Sequence, residues 1–223
     1  MITLAATAWS IPLQGPLLEG EYVRIGWPEE SELDSITMLR NRPDVRQQFL
    51  DQRVLDVERN REWLRRGMNR PYEAVLSIRV KHDGAFVGAI GWSKGDPVER
   101  SLEIGRIMVD TGALIRYRDL LPADYLGIAV DAGTAVRDFA FGTLGVRVLR
   151  MVQIESNRLA RRAAMLGGAR VVGARTEPRG DGRELHLIDL ECNRNDWLAA
   201  LGSAESTRKP DAPDLSLASS PAP

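Results

Sequence analysis

The chain has 223 residues, 43% of them hydrophobic, with 30 basic side chains against 31 acidic ones and a net charge of −1. A balance this close to neutral excludes a global field for nucleic acid, an anionic membrane or an acidic polymer, and no apolar run reaches the length of a bilayer span. A single cysteine, Cys192, rules out an internal disulfide, and with only His82 and His186 as imidazoles a zinc cluster is not expected; both fit a reducing cytoplasm.

The mildly apolar start, Met1 to Trp9, lacks a basic leader and a long apolar stretch, so residues 1–16 are expected to form a loose arm rather than a secretory signal. Leu17 to Ile25 reads as an opening strand with a turn at Glu19-Gly20. Pro28 and the acids Glu29, Glu30 and Glu32 then suit the positive end of a helix whose buried stripe is Leu33, Ile36 and Leu39. Pro43 stops it, because the residue before a proline is pushed out of the helical region. Two short helical pieces follow, Val45 to Leu50 and Asp56 to Arg66, the second with Trp63 and Leu64 facing inward.

Ala74 to Val80 and Ala85 to Trp92 flank Asp83-Gly84, a strong hairpin signal, and Ser101 to Val109 adds a further antiparallel strand. A longer connection, Asp110 to Pro122, leads to a helix through about Thr143, with Ile128, Ala132, Ala135, Val136 and Phe139 at helical spacing. Val146 to Glu155 is apolar on both alternating faces and reads as a central strand covered on both sides, which makes strand, helix and strand one crossover unit. Ser156-Asn157 caps a helix to Leu166 that Gly167-Gly168 stop. A last hairpin joins Ala169–Arg179 to Glu184–Glu191 through Gly180-Asp181-Gly182, and Asn195-Asp196 caps a final turn containing Trp197. The Ser-, Ala- and Pro-rich residues 203–223 are expected to stay disordered, so the folded domain is expected over 17–202. The resulting class is α/β with a mixed, mostly antiparallel sheet flanked by helices.

Four segments carry a family likeness. They are Gly20 to Ile25 together with Leu39 to Arg46, Glu103 to Val109, Gly127-Ile128-Ala129, and Asn157 through Gly168. Over Leu17 to Leu201 these resemble the GNAT acetyltransferases, and the first pair resembles the branch of ribosomal-protein N-terminal and amino-sugar N-acetyltransferases. The resemblance implies a sheet splayed at its fourth and fifth strands. It also implies transfer of an acetyl group from acetyl-CoA, as cosubstrate, to a primary amine of a small molecule or a polypeptide terminus, with no metal, nucleic acid or membrane involved and a homodimer left open.

It further implies roles for particular residues. Ile107, Met108 and Val109 would line the pantetheine arm, while Gly127, Ile128 and Ala129 would end the pyrophosphate loop, where small residues let backbone N–H groups approach phosphates. Asp124 departs from the basic or amide residue usual in that loop, and Arg116 and Arg118 could restore positive charge. Glu103 is the first candidate for the base, directly or through water, and Gln153 and Glu155 could orient acceptor or water. Asn157 is expected to cap its helix first and contact the cofactor second. Arg40, Asn41, Gln47 and Phe49 would recognise the acceptor. Ala164 stands where many relatives place a tyrosine that protonates the thiolate, so water, another residue or lost activity are the alternatives. Two other readings stay open: a degenerate acyl-CoA-binding module, and an enzyme whose connection Asp110 to Pro122 shapes a site for longer acyl groups.

Overall fold

The computed structural model describes residues 18–67, 73–117, 125–178 and 184–207. The opening strand is two strands, β1 (Leu18–Glu19) and β2 (Val23–Gly26), paired antiparallel around Gly20 to Tyr22. They split because the backbone N–H groups of Glu21, Tyr22 and Val23 all turn to the carboxylate of Asp131 instead of a strand.

A 3-10 turn, Glu30–Glu32, leads into α1 (Leu33–Asn41), and the Glu32 carboxylate closes a capping box on Glu29 N at 2.7 Å. The same carboxylate accepts from Arg79 and from Ser77 Oγ, which explains how a glutamate only 7% exposed is held in the protein. Next come α2 (Pro43–Arg46), which ends short of the expected Leu50, and α3 (Val57–Gly67). Strands β3 (Ala74–Val80), β4 (Phe86–Asp96) and β5 (Ser101–Val109) follow, β4 running four residues beyond the expected Trp92. The connection after β5 contains α4 (Thr111–Leu114) and a 3-10 turn, Ile115–Tyr117. The chain then forms α5 (Tyr125–Gly142), β6 (Val148–Ile154), α6 (Arg158–Leu166), β7 (Arg170–Pro178), β8 (Glu184–Asn193) and α7 (Arg194–Thr207).

The eight strands order as β1-β2-β3-β4-β5-β6-β8-β7, and β5–β6 is the parallel pair in an otherwise antiparallel sheet, joined by the α5 crossover. Two apolar layers cover the sheet. Ile25, Ile78, Ile90, Leu102 and Ile104 pack against Ile128, Val136 and Phe139 of α5 on one face. Val75, Ala89 and Met108 pack against Leu33, Ile36 and Leu39 of α1 and Leu64 of α3 on the other.

Three expectations change. β6 is not covered on both sides: Arg150 is exposed and reaches Glu99 and Glu191, because the second face of β6 extends past α1 and α3. The closing turn is a 14-residue helix, α7, which runs to Thr207, five residues past the expected boundary at 202. Its first turns are fixed by Trp197, whose ring packs on Phe141 and whose Nε1 donates to Asp138 Oδ1 at 2.8 Å. The arm 1–16, the turn 180–182 and the end of the tail from 208 lie outside the described residues.

Candidate active site

The site follows from where two parallel strands stop pairing. β5 and β6 are in register at Ser101–Val148, Leu102–Leu149 and Glu103–Arg150, and there the pairing ends. β6 continues along β8 to Ile154, while β5 continues along β4 to Val109. Each strand thus follows its outer neighbour, and the edge of β5 from Ile104 to Val109 that faces β6 has no strand partner among the described residues. Such an edge presents backbone N–H and C=O groups that an extended chain can pair with as an added strand.

β5 also carries a bulge. Gly91 opposes Gly105 and Ala89 opposes Met108, so two residues of β5 stand against one of β4, and Arg106 adopts φ 56° to make the step. The bulge changes the phase of the strand. Leu102, Ile104, Ile107 and Val109 join the α5 layer, whereas Met108 joins the α1 layer. Glu103 alternates with Leu102 and Ile104, so it projects to the α1 side, as Arg106 does where its guanidinium lies 5.1 Å from the Trp63 ring of α3.

At the Val109 end of β5 the first turn of α5 begins. Asp131, one turn further on, ties this helix to the β1–β2 turn through bonds of 2.6, 2.8 and 3.1 Å. Ile128 is fully buried, Ala129 is 4% exposed and Gly127 is half-buried beside them. α5 is an 18-residue helix, and the N-terminal turn of a helix carries a partial positive charge. Asp124 and Arg118 lie outside the described residues, and Arg116 is exposed.

Of the sequence-predicted residues, Ile107, Met108 and Val109 lie on the unpaired stretch of β5, and Gly127, Ile128 and Ala129 lie in the first turn of α5. Glu103 sits one residue before the strands part. Its carboxylate accepts from Lys94 Nζ at 2.8 Å. Asn157 is the cap of α6, its side chain accepting from Ala160 N at 3.1 Å. Ala164 is half-buried against the α5 layer and offers no proton. Gln153, beyond the parting point on β6, donates to Ala160 O at 3.2 Å and keeps a buried Oε1 without a partner among the described residues.

The four acceptor-side candidates divide. Arg40 is 7% exposed, stacks 3.9 Å over the Phe49 ring and donates to the Asp51 carbonyl; burial pushes its guanidinium below the ordinary arginine value. Asn41 donates to Leu55 O and accepts from Leu55 N, both at 2.8 Å, which engages the two ends of its amide in holding the loop 51–56. Gln47 is exposed and Phe49 half-buried. Arg53 beside Asp51 holds that carboxyl down to about 2.

Sequence reasoning gave no site role to Arg106, Glu73 or Trp63, though it expected Trp63 to face inward. Arg106 Nη2 donates to Glu73 Oε1 at 2.6 Å, and its Nη1 is buried without a partner among the described residues. No local sequence signal marked these residues, because the bulge that places Arg106 shows only in the pairing register. Ile104 and Ile107 face the same layer at an odd offset, which a strand achieves only with one extra residue. Among the described residues, no group of three His, Cys, Asp or Glu side chains could hold a metal ion, and no helix is long and apolar enough to cross a membrane.

The family model described as acetyltransferase (GNAT) domain matches residues 23–170. No curated protein sequence matches the chain significantly. Among solved structures, the chain is similar to a GNAT-family acetyltransferase from Bacillus anthracis, with 17% identity, 81% of this chain and 99% of that one covered, and a TM-score of 0.66. A GCN5-related N-acetyltransferase from Brucella melitensis gives 20% identity, 90% and 88% coverage and a TM-score of 0.66. A spermidine N-acetyltransferase chimera of SpeG from Vibrio cholerae and hSSAT gives 13% identity, 80% and 99% coverage and the same TM-score of 0.66. At these identities the likeness shows the fold.

Proposed function

The chain belongs to the GNAT acetyltransferase family, whose domain covers residues 23–170, and on that premise we propose that it transfers an acetyl group from acetyl-coenzyme A to a primary amine of a small molecule or a polypeptide terminus. The observation that carries the reading is the unpaired edge of β5 beside the first turn of α5. An amide-bearing arm fits the one and a pyrophosphate fits the other.

In this reading the backbone of Ile107, Met108 and Val109 pairs with the pantetheine arm, and Gly127, Ile128 and Ala129 let the helix start approach the phosphates. The donor, when bound, supplies a thioester carbonyl that a neutral amine can attack. Glu103, on the α1 side of β5, takes the ammonium proton directly or through water. Asn157 acts by fixing the start of α6. With alanine at 164, water in the open cleft returns a proton to the leaving thiolate. On the acceptor side Phe49 and Gln47 form the wall, and Arg40 and Asn41 hold the loop behind it. The near-neutral charge supports a small-molecule amine slightly over the basic tails of ribosomal proteins, because a site for the latter would gain from an acidic surround.

The test is acetyl transfer to an amine panel, read as coenzyme A release, with Glu103→Gln alongside the wild type. General-base catalysis contributes about 10²–10⁴-fold, so Glu103→Gln should lose at least about 100-fold in kcat with acetyl-coenzyme A affinity unchanged. Turnover that survives the substitution removes Glu103 from the role. Donor binding without turnover on any amine favours an acyl-coenzyme A-binding module instead.

A further inference from the structure

Among 30 basic side chains the chain holds three lysines, Lys81, Lys94 and Lys209, so few side-chain primary amines are its own. One of them meets the carboxylate given the role of base: Lys94 Nζ donates to Glu103 Oε2 at 2.8 Å. A bulge in β4 makes the contact. Ser93 opposes Glu103 and Asp96 opposes Ser101, so β4 carries one residue more than β5 over this stretch, and Lys94 takes φ 50° to accommodate it. Strict alternation would send Lys94 to the face opposite Ser93 and Glu103; the bulge turns it back to Glu103.

The pair adds little to stability, because the Lys94 side chain is 70% exposed and a solvated ion pair is weak. A non-glycine residue at positive φ is meanwhile held there at a cost. What the arrangement provides is a primary amine within hydrogen-bond reach of a carboxylate, the geometry that proton abstraction needs. Glu103 is also the last β5 residue paired with β6, and the open edge assigned to the donor starts at the next residue, Ile104. A flexible four-carbon stem lets the exposed amine follow the carboxylate toward that opening. Lys81 pairs instead with Glu19 of β1, an edge strand of the sheet, at 3.2 Å.

We propose that Lys94 is a self-acetylation site, whose amine takes the acetyl group from acetyl-coenzyme A bound to the same molecule. Nζ passes one proton to Glu103, forms a C–N bond to the thioester carbonyl as the C–S bond breaks, and gives its second proton through water to the departing thiolate, which leaves as coenzyme A. Glu103 then returns its proton to solvent. The product amide carries no charge, so the modification takes away the cation beside Glu103. The inference rests on the donor site and base of the acyl-transfer reading above.

The experiment incubates the full-length protein with acetyl-coenzyme A and no added amine, and follows the acetyl occupancy of each lysine by peptide mass spectrometry. In the wild type Lys94 should be acetylated ahead of Lys81 and Lys209. Its rate should saturate with acetyl-coenzyme A and stay unchanged on dilution of the protein, as for transfer within one molecule. Glu103→Gln should slow the modification by at least about 100-fold, although removing the carboxylate frees the amine and would speed a purely chemical reaction. Lys94→Arg, which keeps a cation beside Glu103, should take up no acetyl group at that position, with melting temperature unchanged. If Glu103→Gln fails to fold, the saturation and dilution series on the wild type carry the test. Acetylation that spares Lys94, that rises linearly with acetyl-coenzyme A, that slows on dilution of the protein or that survives Glu103→Gln would each overturn the proposal. An unmodified Lys94 in protein that acetylates the amine panel would sink this inference and leave the acyl-transfer reading standing. Self-acetylation at Lys94 without transfer to any added amine would sink the external acceptor and leave this inference.

Discussion

Asp131 gathers three consecutive backbone N–H groups, from Glu21, Tyr22 and Val23, and so fixes the first turns of α5 against the edge of the sheet. Gly20 is required beside it, since a Cβ there would lie 2.3 Å from Asp131 Oδ1. Asp131→Ala leaves those donors to water or to nothing, and we expect a loss of about 2–3 kcal/mol, or roughly 5–10 °C in Tm, by urea and thermal unfolding. Gly20→Ala should shift stability in the same direction. A loss under about 0.5 kcal/mol for Asp131→Ala, the range of ordinary surface changes, would mean that the contact is ornamental. Asn41 plays the same part on the other face, bonding Leu55 through both ends of its amide. Asn41→Ala should therefore cost about 1–2 kcal/mol and, if the proposed acceptor wall of Phe49 and Gln47 is right, raise the acceptor KM more than the donor KM. Neither staple was legible in the sequence. Asp131 reaches across 110 positions and Asn41 across 14, and an aspartate or an asparagine on a helix carries no local mark of a distant backbone partner.

The elements themselves were largely legible, because hydrophobic periodicity and stop residues act locally. β3, β5 and α6 appear over Ala74–Val80, Ser101–Val109 and Arg158–Leu166, with Asn157 as the cap. What failed was length where tertiary contacts extend an element, as β5 extends β4 to Asp96 and Trp197 anchors α7. The connection after β5 shows how such a segment is held. Tyr117 is buried and its hydroxyl donates to Asp83 Oδ2 at 2.6 Å in the β3–β4 turn, while Arg42 Nη1 donates to Asp110 Oδ1 at 2.8 Å. Each partner shifts the other: the Tyr117 hydroxyl holds the Asp83 carboxyl below its usual value, and Asp83 holds the phenol above its own. The depressed carboxylate contributes stability above its unfolded pKa, near 3.9, that is lost as pH falls through the folded value. The raised phenol contributes stability below its unfolded pKa, near 10, that is lost as pH rises through the folded value. The anchor should therefore persist between roughly pH 4 and 10 and release on either side. Ultraviolet titration should show a phenol ionising above the usual tyrosine range that returns toward it in Asp83→Asn; an unchanged titration curve in that variant would remove the anchor.

At the scale of the whole molecule, the crossover through α5 makes β5 and β6 parallel, and the two strands pair only over Ser101–Glu103 and Val148–Arg150 before each follows its antiparallel neighbour. The family resemblance implied that parting, whereas the bulge at Arg106, which sends its side chain across β4 to Glu73, came only with three-dimensional register. If the opening receives acetyl-coenzyme A, binding is linked to folding, since the strand edge and the start of α5 exist together only in the native protein. A ligand at 100 times its Kd stabilises by about 2.7 kcal/mol, which for a chain of this size corresponds to roughly 5–10 °C in Tm. We expect a shift of that order with acetyl-coenzyme A and its loss in Gly127→Trp, where an indole on the first turn of α5 would block the backbone approach to the phosphates. Unliganded melting of the variant should stay close to the wild type, because Gly127 is half-buried at a helix start rather than inside the core. A shift that survives Gly127→Trp would mean that the phosphates rest elsewhere, and then the open edge of β5 alone would have to account for binding. An absent shift in the wild type, with any acyl-coenzyme A, would mean that the fold keeps the opening without the donor.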